Sequence, residues 1–230
     1  ARLRNRSRGR YPMSMVMRAP YGGGIRAVEH HSESREAYWA HTPGLKVVIP
    51  SGPRNARALL AAAIEDPDPV VFYEPKAVYR AFREDVPDEH ETLPIGTAQI
   101  ARPGTDLTVV SYGAMMQPVK EAVEDLADLD GIDCEVVDLL SIKPMDTETI
   151  CASVRRTGRC VVVHEGPRTC GVAAEVIARI NEHAFEHLIA PVKRVTGFDI
   201  HFPFLQVEEH YLPDPDSIAE AVRETMRFDP

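Results

Sequence analysis

The sequence predicts an α/β protein built from two consecutive alternating blocks. Three observations carry this. Short apolar runs stopped by Gly or Pro recur along the chain, at 45–50, 69–75, 107–113, 134–140 and 160–166. Between them lie segments with apolar residues at helical spacing, such as Val119, Ala122, Val123 and Leu126 at i, i+3, i+4 and i+7. Strands alternating with helices imply a parallel sheet covered on both faces. The 230 residues suffice for one large domain or two of ordinary size.

In the first block, MSMVMRAP (13–20) reads as a strand ending at the glycine loop YGGG (21–24). Residues 34–41 read as a helix, and LKVVIP (45–50) as a short strand stopped by Pro50. Pro53 opens the next helix at its favoured first-turn position. Its apolar face is expected to comprise Ala56, Leu59, Leu60, Ala63 and Ile64. PVVFYEP (69–75) is a further strand. This block has too few strands to complete a sheet of its own, which leaves an apolar edge open. Residues 76–105 are charged and Pro-containing, a linker region in which 95–104 adds one strand. The boundary between the blocks is set at 93/94.

The second block alternates more cleanly. LTVVSYG (107–113), CEVVDLL (134–140), CVVVHEG (160–166) and VKRVTG (192–197) are strands. Asp146 is the expected N-cap of a helix running to Thr157 and ended by Gly158. A helix spans 172–183, and Asp216 is expected to cap a last one at 217–226. This is the pattern of a complete small α/β domain.

Composition excludes several functions. With 44% hydrophobic and 27% charged residues the chain reads as globular. A net charge of -9 leaves no nucleic-acid footprint. No apolar run approaches the roughly 20 residues of a membrane span. The Arg-rich start, ARLRNRSRGRYP, lacks the apolar core of a secretory signal and reads as the tail of a solvated helix. Cys134, Cys151, Cys160 and Cys170 form no CxxC pair and read as reduced, mostly buried thiols in a cytoplasmic-type compartment.

Chemistry is sparse. There is no HExxH, no GxSxG and no His-carboxylate cluster at ligand spacing. YGGGIR lacks both GxGxxG and the P-loop Lys-Ser/Thr, so it reads as a turn rather than a phosphate cradle. His31 stands at a loop-to-helix junction. A helix N-terminus there would keep its imidazole near neutral and fit for proton transfer near pH 7; the competing reading is a surface or capping histidine.

The segment RAPYGGGIRAVEHHSESREAYWAHTPGLKVVIPS resembles a stretch of the beta subunits of thiamine-diphosphate-dependent 2-oxoacid dehydrogenases, the decarboxylating component of the pyruvate and branched-chain complexes. In that family a glycine loop precedes His-Ser-Gln-Ser-Pro-Glu-Ala and His-x-Pro-Gly-Leu-Lys-Val-Val. Here Glu33 stands for the usual Gln and Arg35 for the usual Pro. IEDPDPVVFYEPKAVYR, DLTVVSYGAMM, EVVDLLSIKPMD, SVRRTGRCVVVHEG and APVKRVTGFD match later landmarks in order, so the resemblance covers essentially the whole chain.

The resemblance implies the C-terminal part of a thiamine pyrimidine-binding domain (1–93) followed by a transketolase C-terminal-type domain (94–230). It implies a histidine at the cofactor, His31, that acts in acyl transfer to a lipoyl group, and a structural role for His41. It implies a potassium site at Met15, Ala63, Ile64, Asp66 and Asp68, largely through main-chain carbonyls; an ordinary Asp-Pro turn is the competing reading. Asp68 stands where Asn is usual. The implied partners are an alpha subunit in a heterotetramer, a second beta subunit and a lipoyl-bearing acyltransferase core. The alpha subunit would hold the pyrophosphate of thiamine diphosphate through magnesium. The glutamate that activates the cofactor lies in this family upstream of the glycine loop, so the resemblance implies a beta subunit truncated at its N-terminus. It also favours a prokaryotic cytoplasm over a mitochondrial matrix. A non-catalytic assembly module and a transketolase-like synthase are the alternatives.

Overall fold

A computed structural model describes residues 1–229. The chain runs α1 (Leu3–Arg6), β1 (Val16–Tyr21), α2 (Glu29–Ser32), α3 (Glu36–Ala40), β2 (Lys46–Val48), α4 (Pro53–Glu65), β3 (Val70–Pro75), β4 (Gln99–Arg102), β5 (Leu107–Ser111), α5 (Met116–Asp125), β6 (Cys134–Asp138), β7 (Ser141–Lys143), α6 (Thr147–Thr157), β8 (Cys160–Pro167), α7 (Val172–His183), β9 (Lys193–Gly197), α8 (Glu208–Tyr211) and α9 (Pro215–Met226). Each strand expected from the sequence is present.

Two sheets result. The first has the order β1-β3-β2-β7 and the second β4-β6-β5-β8-β9. The pairs β1/β3 and β2/β3 are parallel, as are β5/β6, β5/β8 and β8/β9. The antiparallel members are β7 on β2 and β4 on β6. The first block, which by its sequence has too few strands to complete a sheet, thus takes a strand from the second. Leu139, Leu140 and Ile142 are buried on either side of this crossover, so the apolar run continues past β6 into the neighbouring sheet. Lys143 follows and donates to the carbonyls of Ala40 (2.7 Å) and Thr42 (3.1 Å) at the end of α3. β1 remains an edge strand, with half of its residues partly buried.

The largest core cluster lies between the sheets and joins Tyr21, Val47, Ile49 and Val71 to Tyr112, Leu139, Ile142 and Val162. A second cluster sits under α5 and α9, where Val119, Ala122, Val123 and Leu126 all turn inward as their spacing requires. Asp146 caps α6 by accepting from Thr149 N (3.0 Å), and Gly158 ends it at φ +70°, a left-handed conformation suited to Gly.

Two local expectations are corrected. The cap of α9 is Asp214, which accepts from Ser217 N (2.8 Å), and not Asp216, because Pro215 opens the helix one turn position earlier. The buried face of α4 is Ala58, Leu59 and Ala63, whereas Ile64 is exposed. Cys134, Cys151 and Cys160 are buried, Cys170 is exposed, and all four are free thiols. No helix among the described residues is long and apolar enough to cross a membrane.

Candidate active site

β1, β3, β5 and β8 send their following loops to the seam between the two sheets. The loop after β1 runs Gly22 to Arg26 and leads into α2, which carries His31 in its last turn. This corrects the helix N-terminus expected for His31. The chain starts α2 early, at Glu29, and leaves it at the extended Glu33, so His31 stands at the carbonyl end. Its side chain is exposed, and its imidazole makes no hydrogen bond or ion pair among the described residues. Its carbonyl accepts from the Lys76 ammonium, and Ser32 Oγ donates to Ala27 O (2.9 Å), which pins the turn. His41, expected within a helix, is the exposed residue at the end of α3.

Behind this loop lies a buried polar cluster with no counterpart in the sequence reading. Glu36 on α3 is 2% exposed and accepts from the Tyr112 hydroxyl (2.7 Å). Glu165 at the end of β8 is 3% exposed and accepts from Gly23 N (2.7 Å). Burial raises the Glu36 carboxyl above the ordinary range. Burial, reinforced by the Glu36 charge, raises that of Glu165 to about 7, against the pull of Gly23 N–H, Ser34 and Lys76. His164, buried and stacked on Tyr112, is lowered to about 4 by burial, with Arg194 adding to the effect, and both of its ring nitrogens lack a protein partner.

A cleft of about 1060 Å³ opens beside the cluster, lined by Ser34, Tyr38, Trp39, Glu165, Phe202 and Tyr211 among others. It begins just beyond His31 in the chain and does not include it. The only signal of the cluster in the sequence was the polar His164-Glu165 ending of an otherwise apolar strand.

The residues of the implied potassium site gather where α4 meets β3. Both carboxylates there already have protein cations. Lys46 Nζ lies 2.7 and 2.6 Å from the two oxygens of Asp66, and Arg4 lies 2.6 Å from Asp68. The Arg4 bond holds the Asp68 carboxyl below its usual range. Met15 O accepts from Val70 N (2.9 Å). Ala63 and Ile64 lie in the last turn of α4, where carbonyls lack helical partners. The carboxylates thus do not fit a further cation in this arrangement, and the main-chain oxygens are what remain for one. Among the described residues no three or more His, Cys, Asp or Glu side chains converge as a metal site.

Comparison with known proteins matches residues 1–81 to the transketolase pyrimidine-binding domain and residues 96–218 to the transketolase C-terminal domain. The pyruvate dehydrogenase E1 component subunit beta of Acholeplasma laidlawii is 50% identical over 230 residues, all of this chain and 70% of that protein. The chain belongs to this beta-subunit family. The Bacillus subtilis member is 46% identical over 228 residues, 99% of this chain and 70% of its own length. Among solved structures, a split-gene transketolase described as an inactive beta4 tetramer superposes with a TM-score of 0.78 at 25% identity, covering 94% of this chain and 67% of that one. The first match covers β1, β2 and β3, and the second covers β7 and all five strands of the second sheet.

Proposed function

We propose that this chain serves as the beta subunit of a pyruvate dehydrogenase decarboxylating component, with His31 acting in acyl transfer to a lipoyl group. The observation that carries this is the beta-subunit likeness, at 50% identity, over the full 230 residues, supported by the glycine loop before His31, which the second domain's Glu165 and Glu208 hold. The relatives' names favour pyruvate over branched-chain acids as substrate. In this reading an alpha subunit completes the site and holds thiamine diphosphate through magnesium, and an acyltransferase core presents the lipoyl arm. A potassium ion at the end of α4, on main-chain oxygens of Met15, Ala63 and Ile64 beside Asp66 and Asp68, belongs to the same reading.

The buried carboxyls of Glu36 and Glu165 are engaged by Tyr112 and Gly23, so neither is assigned to activating the cofactor. When bound, thiamine diphosphate supplies the nucleophilic carbon that adds to a 2-oxoacid. The contribution assigned to this chain is proton transfer. Opening of the lipoyl S–S bond leaves one sulfur acylated and the other needing a proton, for which the exposed imidazole of His31 is the assigned donor.

His31→Ala in the assembled enzyme is expected to slow lipoyl acylation about 10²–10⁴-fold while leaving cofactor affinity nearly unchanged. Single-turnover kinetics with a free lipoyl domain make the measurement. An overall rate within about twofold of wild type would return His31 to a surface histidine, since general acid-base roles contribute far more than that.

A further inference from the structure

Successive main-chain N–H groups of a glycine-rich turn form a concavity that binds anions. In this loop the acceptors are side chains from the other half of the molecule. Glu208 Oε1 accepts from Gly24 N (2.6 Å), Ile25 N (3.1 Å) and Arg26 N (3.3 Å). Glu165 Oε2 takes the preceding donor, Gly23 N, at 2.7 Å. Glu208 is 2% exposed, well below what is usual for a glutamate. Neither carboxylate forms an ion pair among the described residues, and the second oxygen of each, Glu208 Oε2 and Glu165 Oε1, has no partner. Burying a carboxylate without a cation is costly, so the loop N–H groups are what each one is placed to bind.

The loop in turn is shaped to receive them. Gly22 has φ +82°, and a Cβ there would stand 2.6 Å from Glu165 Oε1. A Cβ on Gly23 would stand 2.6 Å from the ring of Phe202. The segment between Arg26 and His31 is short and is itself tied by Ser32 and Lys76. A shift of the loop therefore carries through to His31.

We propose that Glu208 and Glu165 are positioning residues, which hold the Gly22–Arg26 loop from the second domain and thereby set where His31 stands for acyl transfer. This rests on the function proposed above. It assigns a task to the second domain: its β8 end and α8 act as a two-point clamp on the first domain's loop.

The test uses the assembled holoenzyme with a lipoyl-domain acceptor. Glu208→Ala is expected to lower kcat for lipoyl acylation by about 10- to 100-fold, with KM for the 2-oxoacid changed less than about threefold, since a displacement of about 1 Å suffices for such losses. Glu208→Gln, whose amide oxygen can accept the same three N–H groups, should recover most of the rate. Amide hydrogen exchange at Gly24, Ile25 and Arg26 should quicken in the Ala variant and stay slow in the Gln variant. Glu208→Asp keeps the charge and shortens the reach by one methylene, so it gives the same direction of change should the Ala variant not fold. Unchanged exchange in both the Ala and Asp variants would overturn the clamp. Faster exchange with a wild-type kcat would overturn its link to His31. If the wild-type assembly failed to acylate the lipoyl domain, the functional reading would fall, and the exchange data alone would still decide whether Glu208 holds the loop.

Discussion

The two sheets differ in how they are sustained. In the second, every residue of β5 and β6 is buried, and α5, α6, α7 and α9 contribute buried faces. In the first, β1 is an edge strand with exposed positions, and the far edge is closed by β7, which arrives from the other block. A self-contained sheet can hold its shape through its own core, whereas a sheet that borrows a strand is coupled to the domain that lends it. The seam between the two is where the chain places the buried carboxyls of Glu36, Glu165 and Glu208. Strain or loss in the second domain should therefore be felt in the first, with a weaker effect in the opposite direction.

The largest expected effect comes from the self-contained side. Leu126→Ala, at a fully buried position under α9, should cost about 2–5 kcal/mol. Met15→Ala, exposed beside the edge strand, should stay within about 0.5 kcal/mol. Denaturant unfolding of both variants checks the contrast, and equal losses would show that the first sheet is as tightly held as the second.

A pH experiment addresses the seam. Glu165 is faced by Glu36, Tyr21, Tyr112, Tyr211, Ser34 and Lys76, with His164 next in the chain, and its folded pKa of about 7 exceeds the ordinary 4.5. A raised acid binds its proton more tightly in the folded state. Its contribution is thus fully present below about pH 4.5 and is lost as pH rises through 7. His164, lowered to about 4, acts in the opposite sense, losing stability as pH falls. The difference between wild type and Glu165→Gln isolates the glutamate. Wild type should gain on the variant by a few kcal/mol between pH 8 and pH 5. Parallel stability curves for the two proteins would place the Glu165 proton elsewhere.

A smaller effect tests the borrowed strand directly. Lys143→Ala removes the ammonium from the carbonyls of Ala40 and Thr42 and should cost about 1.5–3 kcal/mol, the range for bonds to a charged donor. Limited proteolysis should then cut residues 34–45 before any site in the second domain. Cleavage beginning in α6 or α7 instead would mean that the coupling runs the other way.

The α/β class, the order of the elements and several of their ends were legible in the sequence, because they depend on local chemistry. Alternating apolar runs specify strands, the spacing of Val119 to Leu126 specifies a helical face, and Asp146 and Gly158 cap α6 through groups within a few residues of each other. His31 stood out through family resemblance, since an exposed histidine leaves no periodic mark. What tertiary structure alone decided are the long-range pairings. β7 joins a sheet whose other strands lie before residue 76, a choice made by burial of Leu139, Leu140 and Ile142 rather than by any local propensity. Glu208 meets Gly24 across 184 positions and Glu165 meets Gly23 across 142. As isolated letters, these glutamates are indistinguishable from solvated surface charge; only the folded chain brings them out of water and against the loop N–H groups that donate to them.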